Sequence, residues 1–217
     1  MSYIGIIGAG RLDGREDGLP GVLGRKEMAA RLLKDGADMH EIKLRTGWEK
    51  GADKKWRYEI DDPFHMTPEL EDHLKRHYGE PIDIRRCLKE TTLLTAYPVL
   101  ERLLLFGLYR PIRGRIAGYF DPARYAVVVC MDTASAPFDR QTEGVLLHEV
   151  QHLIQSEEGF AKGGDASKGA KRYLRLAGEV EARNVCARHL LSPEQRQAKL
   201  RTETQDVPDK DQIFIFE

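Results

Sequence analysis

The 217-residue sequence predicts an α+β fold in which a small mixed sheet packs against several helices. Short apolar segments of strand length occupy the middle of the chain, and longer segments with helical periodicity follow them. Hydrophobic residues make up 41% of the chain, which is enough to form a core. We divide the chain near residue 62. Residues 1–62 form an N-terminal appendage of a helical hairpin and a short strand, and residues 63–217 form the main domain.

The N-terminal appendage begins with residues 4–10 (IGIIGAG), which resemble the start of a dinucleotide-binding loop. Asp13 stands where GxGxxG requires its third glycine, so we predict a leader or a short strand instead. Residues 25–34 and 39–45 have helical periodicity on either side of a glycine turn and predict a helical hairpin. A DNA-reading helix-turn-helix has the same outline, but the second helix here has mixed charge. Residues 55–60 alternate as a strand.

The middle of the chain predicts helices and a small sheet. Residues 67–90 are highly charged and partly helical in pattern. His73 and His77 are four residues apart there, but no glutamate follows His73 and no third histidine supports the pair, so we interpret them as part of a solvated helix face. The remaining predicted elements are a helix over 88–97, a strand over 103–106, and a hairpin formed by strands 116–120 and 125–131.

Residues 143–158 predict one helix, because their apolar positions follow helical spacing and Gly159 supplies a C-terminal stop. On this helix His148 and His152 lie one turn apart on the same face, where two imidazoles can bind one Zn²⁺. Glu149 projects beside them and is the candidate catalytic base for a water molecule. The alternative is a surface helix whose histidines are merely polar. A preceding hairpin and a following acidic helix favour the metal site.

A third protein ligand is expected from residues 176–184, which are helical in pattern and carry two carboxylates. Glu179 and Glu181 point about 200° apart on a helix, so only one of them faces the metal. We predict Glu179 as the ligand. Glu181 is the runner-up, with a supporting role at a histidine ring if it is not the ligand. His189 is a weaker candidate, about three turns further along.

The order of these parts resembles the gluzincins, in which HExxH on one helix is completed by a glutamate on the next. The chain also resembles the zincin domains associated with large polyvalent proteins of phages and prophages. That likeness spans about residues 25–210, is strongest over 144–188, and rests on KWRYEI (55–60), AYP (96–98), LLHEVQHLIQ (146–155), EGF (158–160), GG (163–164) and AGEVEARN (177–184). It implies a zincin-like fold with the HExxH helix beneath the sheet. One departure is Arg183, where an acidic residue or asparagine is usual four positions after the glutamate; Asn184 is a candidate substitute.

These features predict a zinc-dependent metallohydrolase with one Zn²⁺ per chain, most simply a peptidase of a phage or mobile-element polyvalent protein. Its substrate is then a protein or peptide, added as a strand along the edge formed by residues 125–131. Tyr173 is a candidate donor to a developing oxyanion, with a packing role as the alternative. Residues 159–169 are either a flap over the cleft or an ordered connection. The tail over 206–214 suggests a terminal strand.

Two other functions are compatible with the sequence. One is a non-catalytic metal-binding module for processing or scaffolding, and the other is a DNA-associated regulator that uses residues 25–47. The formal net charge of -1 gives no basic excess for nucleic acid, and no apolar run approaches the ~20 residues that span a bilayer. Three cysteines without a CxxC pair, and a start without a secretory signal, favour the cytoplasm, including that of a host cell after delivery. The oligomeric state is not indicated.

Overall fold

The structure is a computed structural model that describes residues 2–8, 22–64, 72, 76, 80–86, 92–109, 118–131 and 140–216. Helices and small sheets alternate in these segments, which confirms the predicted α+β class. Most of the charged segment 67–90, including His73 and His77, lies outside the described residues. In the part of the chain that is described, no helix has both the length and the apolar character needed to cross a membrane.

The N-terminal segment forms a three-stranded antiparallel sheet and the predicted helical hairpin. Its elements are β1 (Ser2–Gly8), α1 (Val22–Lys34), α2 (Met39–Thr46), β2 (Trp48–Lys50) and β3 (Trp56–Phe64), with strand order β1-β3-β2. The Asp38 side chain caps α2 by accepting a hydrogen bond from the Glu41 amide. Gly47 ends the helix at φ +79°, in the left-handed region that glycine adopts without strain.

A second sheet has the order β4-β5-β7-β6. Its elements, with the helix between its first two strands, are β4 (Ile82–Asp83), α3 (Thr92–Ala96), β5 (Leu104–Tyr109), β6 (Gly118–Asp121) and β7 (Ala126–Met131). β7 pairs in parallel with β5, and its antiparallel pairing with β6 confirms the predicted hairpin. Both neighbours of β7 are therefore strands of the same sheet.

The prediction that residues 125–131 form a sheet edge is wrong, because β7 has strands on both sides. The continuous apolar run Ala126–Val129 is buried along its whole length, as is usual for a strand covered on both faces. An edge strand with one solvated face shows alternation instead. Among the described residues, β6 has a paired neighbour on one side only, and it forms the edge on this side of the sheet.

The second half of the chain is mainly helical. It contains α4 (Arg140–Glu158), α5 (Ala170–Tyr173), α6 (Ala177–Arg188) and α7 (Pro193–Ala198). The predicted helix over 143–158 is confirmed, and it ends at Gly159 with φ +62°. The predicted terminal strand over 206–214 is wrong. A 3-10 turn at Asp209–Asp211 bends this segment, and only an isolated bridge from Ile213 to Leu176 remains.

One hydrophobic core joins the N-terminal sheet to the rest of the described chain. α4 supplies a stripe of buried side chains at helical spacing, and both sheets pack against it. The shared core includes Ile7, Trp48, Ile60, Leu105, Val127, Val129, Leu146, Leu147, Val150, Leu153 and Ile154. Gln151 on α4 also exchanges two hydrogen bonds with the backbone of Ile7, at 3.1 and 2.7 Å. The boundary near residue 62 stays a prediction, and the segments on either side of it pack as neighbours.

Candidate metal centre

α4 holds the two histidines of HExxH at the mouth of a cleft. Their ring centroids are 4.7 Å apart at an interplanar angle of 85°, and the two Nε2 atoms are 3.1 Å apart. The apolar stripe of α4 fixes the helix against the core, so that the face bearing His148 and His152 is turned to the cleft. Their side chains are 15% and 17% exposed, which leaves the nitrogen atoms accessible.

Glu179, in the first turn of α6, completes a three-residue cluster with the two histidines. Its Oε2 lies 3.3 Å from Nε2 of His148, and its Oε1 lies 3.4 Å from Nε2 of His152. The side chain is 2% exposed, and Oε2 has no hydrogen-bond donor of suitable geometry. Burial alone raises the pKa of Glu179, but the contacts with His148 and His152 outweigh it and hold this pKa below its usual range.

The cluster fits the requirements of zinc. Bonds of ~2.0–2.1 Å in a tetrahedral arrangement separate neighbouring ligand atoms by about 3.3–3.4 Å. In the cluster the two Nε2 atoms are 3.1 Å apart, Nε2 of His148 lies 3.3 Å from Oε2 of Glu179, and Nε2 of His152 lies 3.4 Å from Oε1, so each carboxylate oxygen faces one imidazole. A cation between these atoms also satisfies the buried Oε2 of Glu179, which otherwise costs free energy. The described residues bring three ligands together at this place, the number found in catalytic sites rather than the four of closed structural sites.

Glu149 lies beside the cluster and is 7% exposed. Burial raises its pKa, and the repulsion from Glu179 adds to this, whereas the neighbouring imidazoles and the Phe120 backbone N–H oppose it. The Phe120 N–H belongs to β6, so the edge strand and this carboxylate are in direct contact. The carboxylate is thus held next to the clustered imidazoles in a site that favours its protonated form more than water does.

The cleft in front of the cluster has a volume of about 460 Å³ and opens to solvent. Its walls come from β6, from α4, from the connection after α4 and from Tyr173. Besides the three clustered side chains and Glu149, the lining residues are Gly118, Tyr119, Phe120, Pro122, Gln155, Ser156, Lys162, Gly163, Gly164 and Tyr173.

The connection between α4 and α5 passes directly over the cluster. A Cβ atom added at Gly163 would lie 2.3 Å from Oε1 of Glu179 and 2.6 Å from Cε1 of His152, so only glycine fits. The Gly164 N–H donates to the same Oε1 at 2.9 Å. Phe160 is buried, and the Lys162 N–H donates to the Ile215 carbonyl. These contacts agree with an ordered connection, which was one of the two predicted alternatives. Sequence reasoning missed this role, although the paired glycines were its signal.

The connection also packs closely against Gly178 of α6. An added Cβ at Gly178 would lie 2.3 Å from the backbone of Lys162 and Gly163. α4 and α6 meet at Gly144, whose carbonyl accepts a hydrogen bond from the Cys186 thiol at 2.6 Å, and at Gly178, whose carbonyl accepts one from Nε2 of Gln155 at 2.8 Å. The two helices therefore meet at a small residue of each.

The second carboxylate, Glu181, stands behind His152 rather than at the cluster. Gln155 lies between them: its Oε1 is 2.9 Å from Nδ1 of His152, and its Nε2 donates to Oε1 of Glu181 at 3.2 Å. The other oxygen of Glu181 accepts from Nε of Arg57 at 2.7 Å. Glu181 thus supports the ring of His152 through an intervening amide.

Of the other candidate residues, Tyr173 lines the cleft, whereas Asn184 and His189 have partners elsewhere. Tyr173 lines the cleft, and burial together with the neighbouring Glu179 carboxylate raises the pKa of its hydroxyl. Asn184 is directed elsewhere, because its Nδ2 donates to the Arg201 carbonyl at 2.9 Å. His189 pairs with Glu143 at 3.0 Å and takes no part in the described cluster.

Comparison with known proteins gives one family match. The family described as large polyvalent protein associated domain 23 matches residues 14–65. Neither a curated protein nor a solved structure gives a match to the chain. The match supports the expected association with large polyvalent proteins. It lies in the N-terminal segment that contains α1, α2, β2 and β3, and it ends well before the helix that carries HExxH.

Proposed function

We propose that the chain is a zinc-dependent metallohydrolase, most simply a peptidase, with a zincin-like site of the gluzincin kind. The observation that carries the proposal is the convergence of His148, His152 and Glu179 beside the buried Glu149 and an open cleft. Two imidazoles and one carboxylate are a donor set of catalytic zinc sites. Three protein ligands leave a coordination position free for the reaction.

The side chains that line the cleft have separate roles in the proposed reaction. Zinc in this position supplies a Lewis acid that polarises a carbonyl group and acidifies water. Glu149 accepts a proton from the attacking water molecule and returns it to the leaving amine. The Gly164 N–H donates to Oε1 of Glu179 and keeps this carboxylate in one orientation throughout.

An extended peptide substrate lies along β6 in this proposal. β6 replaces residues 125–131 as the receiving strand, because it forms the sheet edge next to the cleft. Adding a strand to such an edge uses main-chain hydrogen bonds, which tolerate many side chains. The contact of the Phe120 N–H with Glu149 brings the catalytic carboxylate to the middle of this strand. Substrate binding and proton transfer then share one edge of the sheet.

Tyr173 is the side-chain hydroxyl that we assign to oxyanion stabilisation. It lines the same cleft as Glu149 and lies against Glu179, on the side of the cluster formed by α5. Its raised pKa keeps the hydroxyl protonated through the neutral range, as a hydrogen-bond donor requires. A donor directed at the developing negative charge lowers the barrier to attack on the carbonyl.

The match to a polyvalent-protein family supports a setting in phages or mobile elements. We propose that the peptidase is one module of such a protein and acts in the cytoplasm, including that of a host cell after delivery. The competing function within the same fold is a non-catalytic module for processing or scaffolding. A fourth protein ligand would mark that alternative, and the cluster of the described residues contains three.

DNA recognition by residues 25–47 receives less support. A recognition helix presents its cationic side chains to phosphates and bases. In α2, Lys43 is buried against Glu49 and the Lys199 carbonyl, and Arg45 pairs with Glu41 at 3.0 Å. The cations of this helix serve internal packing and a surface ion pair, as in a structural helical hairpin.

The test combines metal content with hydrolysis. Purified protein should contain about one zinc ion per chain, and Glu149→Gln should keep the metal and lose cleavage of a peptide library. His148→Ala should lose both. A metal content near zero without chelators, or a Glu149→Gln variant that cleaves peptides at the wild-type rate, contradicts the proposal. Full metal content with no cleavage by the wild type favours the non-catalytic module.

A further inference from the structure

His152 must present an unprotonated Nε2 to bind a metal ion, so its proton must sit on Nδ1. The partner of Nδ1 is Oε1 of Gln155, at 2.9 Å. An amide oxygen only accepts hydrogen bonds, so this contact selects the Nδ1–H tautomer as long as the amide keeps its orientation. The question is therefore what prevents the Gln155 amide from turning over.

Two acceptors fix the amide of Gln155. Its Nε2 donates to the Gly178 carbonyl at 2.8 Å and to Oε1 of Glu181 at 3.2 Å. A backbone carbonyl has no proton to give, so the opposite orientation would place two oxygens against each other. Gln155 is 1% exposed, and water cannot replace either contact. The orientation of Glu181 therefore supports the tautomer of His152.

Arg57 of β3 orients Glu181 from the other side. Its Nε donates to Oε2 of Glu181 at 2.7 Å, and its Nη2 donates to Asp53 at 3.0 Å. The guanidinium is 3.3 Å from the ring centroid of Phe160, and the residue is 3% exposed. Arg57 thus holds Oε2 of Glu181, while Oε1 faces Gln155 and also accepts a hydrogen bond from Nε2 of Gln151 at 3.1 Å.

We propose that Arg57 is a positioning residue for the metal centre, acting through Glu181 and Gln155 on the tautomer of His152. The inference rests on the proposed zinc site. Asp53 and Arg57 lie within the segment that matches the polyvalent-protein family. That segment is thus part of the metal centre's support rather than a separate appendage. The hydrogen bond between Arg57 and Glu181 spans 124 residues of sequence.

The first measurement is zinc affinity by competition with a chelator. Loss of an outer partner of a ligating histidine typically weakens metal binding about 10–100-fold, and we expect this for Gln155→Met and about tenfold for Arg57→Met. The matched control is Arg201→Met. Arg201 is a buried arginine that donates to the Lys50 carbonyl and Asp209, away from His152. The Arg201→Met variant should lose stability and keep its zinc affinity. An Arg57→Met variant that folds with wild-type affinity overturns the proposal.

The second measurement separates positioning from general stability. If Arg57 acts through Gln155, Arg57→Met should cause no further loss of zinc affinity in the Gln155→Met background, whereas additive losses overturn the proposal. Nitrogen NMR of the metal-free wild type, at a pH where imidazoles are neutral, should show His152 as the Nδ1–H tautomer. The Nε2–H tautomer there overturns it even if Arg57→Met does not fold. Because this spectrum needs no metal, failure of the proposed zinc function is a separate outcome.

Discussion

Replacing Gly163 with alanine is expected to disturb Glu179 and its contacts in the proposed metal centre. The new Cβ atom would lie 2.3 Å from Oε1 of Glu179 and 2.6 Å from Cε1 of His152. Carbon and its non-bonded neighbours settle near 3.5 Å, so one of these groups must move by about 1 Å. Metal–ligand distances tolerate about 0.2 Å. The carboxylate therefore leaves its coordinating position, or the connection lifts away from it.

The expected loss of zinc affinity is about 100-fold or more, since a displaced ligand costs at least as much as a lost outer partner. Competition with a chelator measures this affinity, and thermal unfolding in excess chelator measures stability without metal. Overpacking by one methyl group should also lower the metal-free stability by about 1–3 kcal/mol. The two measurements together separate damage to the site from damage to the fold.

Gly164→Ala is the matched control for Gly163→Ala. Its Cβ would meet Cδ1 of Leu176 at 2.5 Å, the far end of a flexible apolar side chain rather than a metal ligand. We expect a comparable loss of stability with nearly unchanged zinc affinity, because the Gly164 N–H contact to Glu179 remains. Wild-type zinc affinity in Gly163→Ala would refute the argument, as would equal losses of affinity in the two variants.

Three further outcomes follow from the site and its surroundings. Zinc at 100 times its dissociation constant should stabilise the wild type by about 2.7 kcal/mol over chelator-treated protein in a urea titration, and should not stabilise His148→Ala. Tyr173→Phe should keep zinc and lower kcat about 100-fold in steady-state peptide cleavage, whereas unchanged kcat would leave Tyr173 a packing residue. Burial raises the pKa of Asp209, but the hydrogen bonds from Arg201 and Gln205 outweigh it, so the folded-state pKa is depressed. Its stabilisation is therefore present above pH about 4 and lost as the pH falls through the folded value, and Asp209→Asn should flatten this part of the urea-stability profile.

Local patterns predicted the helices that carry the site. The apolar spacing of residues 143–158 and the stop at Gly159 follow from helix geometry, which acts over a few residues. The four-residue spacing of His148 and His152 also belongs to the helix alone. Helix geometry also predicted that Glu179 and Glu181 face different directions, although spacing alone did not decide which of them joins the histidines.

The order of the strands could not be predicted in this way. β7 pairs in parallel with β5, and nothing in either strand specifies the other as its partner. Such pairing depends on how the whole sheet covers α4. The uninterrupted apolar run at Ala126–Val129 was a usable signal for a central strand, because a strand covered on both faces does not alternate. The hairpin turn identifies β6 as one neighbour of β7, but it gives no information about the second neighbour.

Local sequence patterns also could not predict which residues support the site. Arg57 meets Glu181 across 124 residues, and a lone arginine in a strand pattern gives no indication of a buried partner. Gly163 and Gly164 were visible as a loop signal, yet their purpose depends on His152 and Glu179 lying beneath them. Long-range contacts of this kind appear only once the chain is folded.

The burial of Glu149 is the feature that a purely structural zinc site does not need. The carboxylate is 7% exposed, and desolvation raises its pKa, so the folded state bears a cost for holding it there ionised. Proteins retain a destabilising buried carboxylate where that group takes part in the reaction. Glu149→Gln should therefore be as stable as the wild type, or more stable, at neutral pH, while its peptide cleavage is lost. Urea unfolding of the two metal-free proteins measures the difference, because a bound Zn²⁺ would itself stabilise the ionised carboxylate. A Glu149→Gln variant that is clearly less stable would mean that the carboxylate serves the fold, and the case for catalysis would lose its main physical support.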